Sequence, residues 1–258
     1  MEFQPYFEQL KQHLMPLYVP PRVTAGHDWP HCDRMAQWGP KILGIQGLPE
    51  QGRLRFDMDE YVTGCWLHNY DRVAGVEGGN VEGDLRALLC DSPFATERRE
   101  GIIADMKAHP KFMDEPRDDH RLTALRIADK LDRLDDSTLG IMVACAFNGT
   151  RLLFYDPANP FHCASTAERA LKSLYNDFTR QLEWYKMLPS DEARGLVNME
   201  SLRFYITFVR RFAAAVTRHL NCENLVEDDI RQAFGPYYPR VVPKRWDDSD
   251  HRVLSRGM

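Results

Sequence analysis

The chain has 258 residues, of which 43% are hydrophobic, so it is long enough to bury a large core. Its 33 basic and 38 acidic side chains give a formal charge of -5, which shows no strong nucleic-acid signal and favours small partners. The N-terminus has no basic stretch followed by an apolar one, and no segment approaches the roughly 20 apolar residues of a membrane span. We therefore expect a cytoplasmic protein with no membrane partner.

Apolar residues recur at helical spacing along most of the chain, which predicts an all-α fold with little sheet. The predicted helices cover residues 3–17, 35–43, 58–68, 81–89, 98–108, 121–134, 139–147, 166–184, 200–220 and 227–234. The short segment 151–155 is ambiguous between strand and helix.

The organisation along the chain predicts one domain over residues 1–258. Its core covers about residues 20–150, a helical extension covers about 160–235, and the tail 236–258, rich in prolines and charges, is expected to be irregular. The six cysteines include no Cys-x-x-Cys pair, and several lie in apolar helical segments, so we interpret them as reduced core thiols.

The first polar cluster falls within seven residues and contains two histidines and two aspartates: His27, Asp28, His31 and Asp33. Because proline is tolerated in the first turn of a helix, we expect a helix that begins near residue 29. His31 and Arg34 share one face of this helix by their spacing. One imidazole is therefore expected to point inward.

The second cluster stands at the end of the apolar helix 58–68. There, His68, Asn69 and Asp71 occur together just before a glycine-rich segment. Polar groups thus end a helix that the hydrophobic pattern predicts to be buried, and they are candidates for a shared site.

The third cluster is in helix 121–134, where Asp129 shares a face with Leu122 and Leu125. This is an unfavourable place for a carboxylate without a partner. The partner is either an arginine of the same helix, Arg126 or Arg133, or a metal ion, which we favour. Two imidazoles and oxygen ligands from three helices suit manganese, iron, cobalt, nickel or zinc, any of which can activate water and polarise a phosphoryl group.

These clusters carry the pattern of a known family. Residues 27–34 follow the order His-Asp-x-x-His-x-x-Arg, and residues 128–132, followed by 139–141 and 154–157, are similar to the family's closing motif and downstream loop. Over roughly residues 25–160 the chain resembles the bacterial branch of the HD-superfamily metal-dependent phosphohydrolases. The resemblance implies an HD-domain-like helical bundle, here with a C-terminal helical extension.

The resemblance also implies the metal contacts. His31 matches the first ligand histidine, His68 the histidine of the family's His-Asp pair, and Asp129 the final aspartate ligand. Asn69 stands where the family has the aspartate of that pair, so a neutral amide with one weaker carbonyl oxygen replaces an anionic ligand. We expect Asn69 to be a weak fourth contact, and we expect no dinuclear centre because an amide is poorly suited to bridging two ions.

Four further residues are candidates for the chemistry. Asp28 and Lys130 are candidate catalytic residues, although Asp28 also suits an N-cap or an acceptor that orients a ligand histidine. Arg34 is a candidate for binding a substrate phosphate, as is Lys130 by its charge, and the alternative for both is a solvated face. His109 either lines the pocket and binds substrate or caps the end of a helix.

We therefore expect a protein that uses a metal ion to hydrolyse a phosphate ester, and the resemblance implies nucleotides as the substrate class. The alternative is a catalytically inactive HD scaffold that binds a nucleotide or a protein partner, with Asn69 as the lesion.

Overall fold

The computed structural model describes residues 3–19, 23, 27–47, 52–74, 80–109, 119–135, 153–154, 172–217 and 223–242. The regular secondary structure of these residues is helical apart from one pair of two-residue parallel strands, β1 (Leu153–Phe154) and β2 (Lys172–Ser173), and an isolated antiparallel bridge between Gln46 and Arg53, so the predicted all-α fold is confirmed. The helices in the described ranges are α1 (Gln4–Leu14), α2 (Trp29–Gln37), α3 (Gly39–Ile42), α4 (Met58–Leu67), α5 (Tyr70–Ala74), α6 (Val81–Cys90), α7 (Thr96–Ala108), α8 (His120–Arg133), α9 (Leu174–Lys186), α10 (Asp191–Gly195), α11 (Met199–Thr217), α12 (Glu223–Phe234) and α13 (Tyr238–Val241).

Aspartate caps fix the N-terminal ends of the three helices that later form the site. Asp28 accepts a hydrogen bond from the backbone N–H of His31 at the start of α2. Asp57 accepts from two backbone N–H groups at the start of α4, and Asp119 does the same for α8. An N-cap carboxylate satisfies donors that have no partner within the helix, so the sequence itself sets where each helix begins.

Helices α2, α4 and α8 pack against one another at the centre of the N-terminal part. The buried Tyr61 hydroxyl of α4 donates a hydrogen bond to the Met35 carbonyl of α2 at 2.7 Å. Between α4 and α8 the approach is close at Gly64, where a Cβ atom would lie 3.1 Å from Cδ1 of Leu125. Larger side chains at this glycine would push the two helices apart.

The C-terminal helices form a second group around α9. Phe178 and Leu182 of α9 are fully buried, and the Tyr205 hydroxyl of α11 donates to the Phe178 carbonyl at 3.2 Å. Helix α9 packs against α11 and α12 and also against α8. The extension therefore reaches the helix that carries Asp129.

The structure corrects several details of the sequence analysis. The helix predicted over 35–43 is broken, because α2 ends at Gln37 and the Gly39-Pro40 pair starts α3. The short helix α5 was not predicted. The tail begins with α13, where a proline in the first turn suits a helix start, so residues 238–241 are not irregular. Cys90 is exposed, unlike the buried Cys32 and Cys65, so it is not a core thiol.

Some predictions lie outside the described residues. They are the helix over 139–147, the first part of the helix over 166–184 and the end of the helix over 200–220. The remaining cysteines, the tail from residue 243, the motif segments 139–141 and 155–157 and residues 151, 152 and 155 of the ambiguous segment also lie outside. Within the described ranges, no helix combines the length and the apolar character that crossing a membrane requires.

A buried ion network ties α4, α7 and α8 together and gives a test of the fold. Arg121 donates to Asp105 Oδ2 at 2.5 Å and also to Glu60, and both carboxylates are buried. Burial raises the pKa of Asp105 to about 7. We predict that Arg121→Leu lowers the free energy of unfolding by about 3–5 kcal/mol, because it leaves the buried Asp105 without its cation and Glu60 with the exposed Arg98 in place of a buried partner. Urea denaturation followed by circular dichroism measures this loss.

The control for this prediction is Arg86→Ala. Arg86 also bridges two carboxylates, Glu82 and Glu100, but on an exposed surface. Surface ion pairs contribute little to stability. We expect its denaturation midpoint to match that of the wild type, and equal losses in both variants would contradict the role given to burial.

Candidate metal centre

His31 lies in the first turn of α2 and is fully buried. Its Nδ1 atom is 2.6 Å from Oδ2 of Asp132, which lies on α8 and is itself buried. A carboxylate oxygen can only accept, so Nδ1 carries the hydrogen and donates it. The neutral ring therefore has its lone pair on Nε2, directed to the other side of the imidazole.

His68 follows α4 directly, and a backbone carbonyl holds its ring as Asp132 holds that of His31. Nδ1 of His68 is 2.6 Å from the carbonyl oxygen of Cys65, so Nδ1 carries the hydrogen here as well. The Nε2 atom of His68 is 3.2 Å from Nε2 of His31. When both rings are neutral, their two lone pairs face each other across this short distance.

Asp129 of α8 completes the group. Its Oδ1 atom is 3.2 Å from Nε2 of His31 and accepts a hydrogen bond from Nε of Arg133 at 2.9 Å. One ligand atom from each of His31, His68 and Asp129 lies within 4.8 Å of the others, and all three residues are buried. The structure therefore brings together three of the four residues that sequence analysis selected as metal contacts, and the fourth is Asn69.

Three acceptors that converge in this way need a cation between them. A proton is one solution. Burial alone would lower the pKa of His31, but hydrogen bonds to Asp129 and Asp132 outweigh it and raise that pKa. Burial, together with the neighbouring His31 and His109, holds the pKa of His68 well below its ordinary value. A divalent metal ion is the other solution, and two nitrogens with one carboxylate oxygen suit an intermediate ion such as manganese or zinc.

Comparison with known proteins adds information about the fold. No model of a known protein family matches the chain, and no curated protein matches it. A solved structure from Lactobacillus plantarum, determined as a structural-genomics target, aligns over 84% of this chain and 100% of its own, with a TM-score of 0.61 and 16% identity. The fold is shared. At this identity the similarity extends to the fold alone, and the metal-binding role of the three residues stays a prediction.

Asp132 is a site residue that sequence analysis did not assign. It orients His31 and in turn accepts two hydrogen bonds from Arg34, at 2.6 and 2.9 Å. Arg34 is thus engaged by Asp132, and its assignment to substrate binding stays a prediction. The available signal was the three-residue spacing from Asp129, which places both carboxylates on one side of α8. A carboxylate that holds the outer nitrogen of a ligand histidine is a common companion of metal sites.

The remaining predicted residues surround the centre. Asp28 is the N-cap of α2, as one of its interpretations proposed. Asn69 is buried, and its amide nitrogen is 3.9 Å from Sγ of Cys32. His109 is the C-cap of α7, as one of its interpretations proposed, and its ring centroid is 5.2 Å from that of His68, while its role in substrate binding stays a prediction.

Lys130 is buried, so the alternative that it lies on a solvated face is wrong. Its ammonium group donates to the Arg126 carbonyl at 3.2 Å. Burial lowers the pKa of Lys130 to about 7 and that of His109 to about 4. The amine of Lys130 therefore exists in both protonation states near neutral pH.

The role of Asp132 can be tested by Asp132→Asn. The amide keeps the shape but loses the charge that holds the Nδ1–H of His31, so we predict a loss of about 10- to 100-fold in Mn²⁺ or Zn²⁺ affinity. Titration calorimetry measures the affinity. The control is Asp33→Asn, since Asp33 lies on α2 and only accepts from Gln37 at 3.5 Å. Wild-type affinity in Asp132→Asn would show that Asp132 does not support the centre.

Proposed function

We propose that this protein is a metal-dependent phosphohydrolase that acts on a nucleotide or another small phosphate ester. The observation that carries the proposal is the convergence of Nε2 of His31, Nε2 of His68 and the Asp129 carboxylate in the buried interior. The outer nitrogen of each histidine is occupied, by Asp132 and by the Cys65 carbonyl, so both inner nitrogens are prepared to bind a cation. This donor set fits a divalent metal.

Such an ion, when bound, supplies a nucleophile from water at neutral pH and stabilises charge on a phosphoryl oxygen. His31, His68 and Asp129 hold it, and Asp132 keeps His31 in the correct tautomer. Lys130 interacts electrostatically with Asp129. With its pKa lowered to about 7 by burial, Lys130 is suited to hold a proton and release it near neutral pH.

The charge around the centre supports an anionic substrate. Burial is the main cause that lowers the pKa of His109; Asp129 acts in the opposite direction, and Arg126, Lys130 and Arg133 each act to lower it further. Arg133 and Arg72 act in the same way on His27. Several cations thus lie within electrostatic range of the site histidines, and phosphate esters are the substrate class that such an environment favours. The resemblance to the HD-superfamily hydrolases adds to this inference.

A second candidate is an inactive scaffold that binds a nucleotide or a protein partner. Two observations favour it. Position 69 supplies an amide whose nitrogen is near the Cys32 sulfur, and the Asp129 carboxylate already pairs with Arg133. Both features reduce the negative charge that attracts a metal ion, so metal binding and turnover have to be measured separately.

The proposal predicts phosphate release from a nucleotide panel when Mn²⁺, Co²⁺, Ni²⁺, Fe²⁺ or Zn²⁺ is present, and none with a chelator. His68→Gln removes a ligand nitrogen and should reduce both metal affinity and phosphate release at least about 10-fold. Phosphate is measured colorimetrically and metal binding by calorimetry. If the wild type binds metal but releases no phosphate with any ion, the inactive scaffold is the correct account.

The departure at position 69 gives a further prediction. Asn69→Asp restores an anionic group beside His68, so metal affinity and activity should rise together if the centre is a weakened but working site. The matched control is Asn80→Asp, since Asn80 is the N-cap of α6 and aspartate caps a helix equally well. A rise in affinity without activity would mean that other parts of the machinery are missing.

A further inference from the structure

Arg133 brings a permanent positive charge to the metal ligands. It is the last residue of α8 and is 7% exposed. Its Nε donates to Oδ1 of Asp129 at 2.9 Å, and this is the same oxygen that lies 3.2 Å from Nε2 of His31. An ion bound by His31 and this oxygen of Asp129 would therefore share the oxygen with the guanidinium.

Two neutral groups hold Arg133 in this position. Its Nη2 is 3.0 Å from Nδ1 of His27, which precedes α2, and its guanidinium carbon lies 5.0 Å from the ring centre of Trp184 on α9. A guanidinium over an indole face is stabilised by the quadrupole of the ring. The C-terminal extension thus helps to keep the charge beside the centre.

The charge count at the centre follows from these contacts. Among the described residues, the ligand cluster contains one carboxylate, Asp129, and Arg133 balances its charge. The nearby carboxylate of Asp132 is bound by Arg34. A divalent ion would therefore enter a site whose negative charge is already compensated.

We propose that Arg133 is a built-in counter-cation that competes with the metal ion for Asp129 and sets a low metal affinity. This inference rests on the proposed function, because it takes His31, His68 and Asp129 as the ligands. It assigns a role to Arg133, which contacts the C-terminal extension through Trp184, and it relates metal affinity to the contact between α8 and α9.

Two effects of Arg133 oppose each other, and their sizes decide the outcome. Holding the Asp129 side chain in place favours metal binding, and such supporting contacts contribute about 10- to 100-fold to affinity. A guanidinium beside a carboxylate weakens the carboxylate's affinity for a proton by about 10- to 1000-fold. Because a divalent ion carries two charges, the energy of its repulsion by the guanidinium is about twice as large. Without Arg133, His31 on α2 still faces Asp129, so part of the support for the Asp129 side chain remains. We therefore expect the charge effect to be the larger of the two.

The test is Mn²⁺ titration calorimetry of the wild type, Arg133→Gln and Arg133→Lys. We expect Arg133→Gln to bind Mn²⁺ at least about 10-fold more tightly, because the charge is gone. Arg133→Lys places an amine beside the Asp129 carboxylate, which favours the protonated form of the amine, and should bind within about 3-fold of the wild type. Arg86→Gln removes the same charge from an exposed surface and serves as the control. Equal or weaker binding in Arg133→Gln would overturn the inference while leaving the metal site of the wild type intact.

Two other outcomes are also decisive. If Arg133→Gln binds Mn²⁺ and the wild type does not, the competition is supported and the proposed function of the wild type fails. If neither protein binds, both proposals fail. Should Arg133→Gln not fold alone, we expect Mn²⁺ to restore its circular dichroism spectrum by replacing the lost cation. Failure to refold with Mn²⁺, while Arg133→Lys folds, would also overturn the inference.

Discussion

The hydrogen bond between Nδ1 of His31 and Oδ2 of Asp132 is the interaction on which the candidate centre depends. It fixes which nitrogen of His31 carries the hydrogen, and so it directs the Nε2 lone pair towards His68 and Asp129. The two partners are 101 residues apart in sequence, so the contact exists only when α2 and α8 pack together. Fold and site are therefore formed by the same event.

Burying so many polar groups in one place requires a partner for each of them. Asp132 has His31 and Arg34, Asp129 has His31 and Arg133, and His68 has the Cys65 carbonyl. Apolar packing surrounds this network. In this network, protein groups satisfy the outer contacts of the side chains, and the atoms that face the centre are all acceptors. Such an arrangement is costly for folding, and it is expected where a cation binds.

Much of this organisation could be predicted from the sequence. Helical periodicity identified most helices. Of the four metal contacts predicted from the three polar clusters and the family resemblance, His31, His68 and Asp129 are the ones that the structure brings together. The pair between Arg133 and Asp129 was one of the alternatives that the spacing on α8 offered, and the structure contains it. The contacts of Asp132 with His31 and of Arg133 with His27 and Trp184 could not be predicted, because these partners come from distant segments. The break at Gly39 was missed because the apolar pattern continues across it.

The central claim is that His31, His68 and Asp129 together bind one divalent metal ion. The most direct measurement is anomalous X-ray diffraction from crystals of the protein grown with Mn²⁺ or Zn²⁺, at the absorption edge of the ion. We predict an anomalous peak about 2.0–2.2 Å from Nε2 of both histidines and from a carboxylate oxygen of Asp129. A map without a peak there, in crystals where the metal is bound elsewhere or is in excess, would contradict the claim.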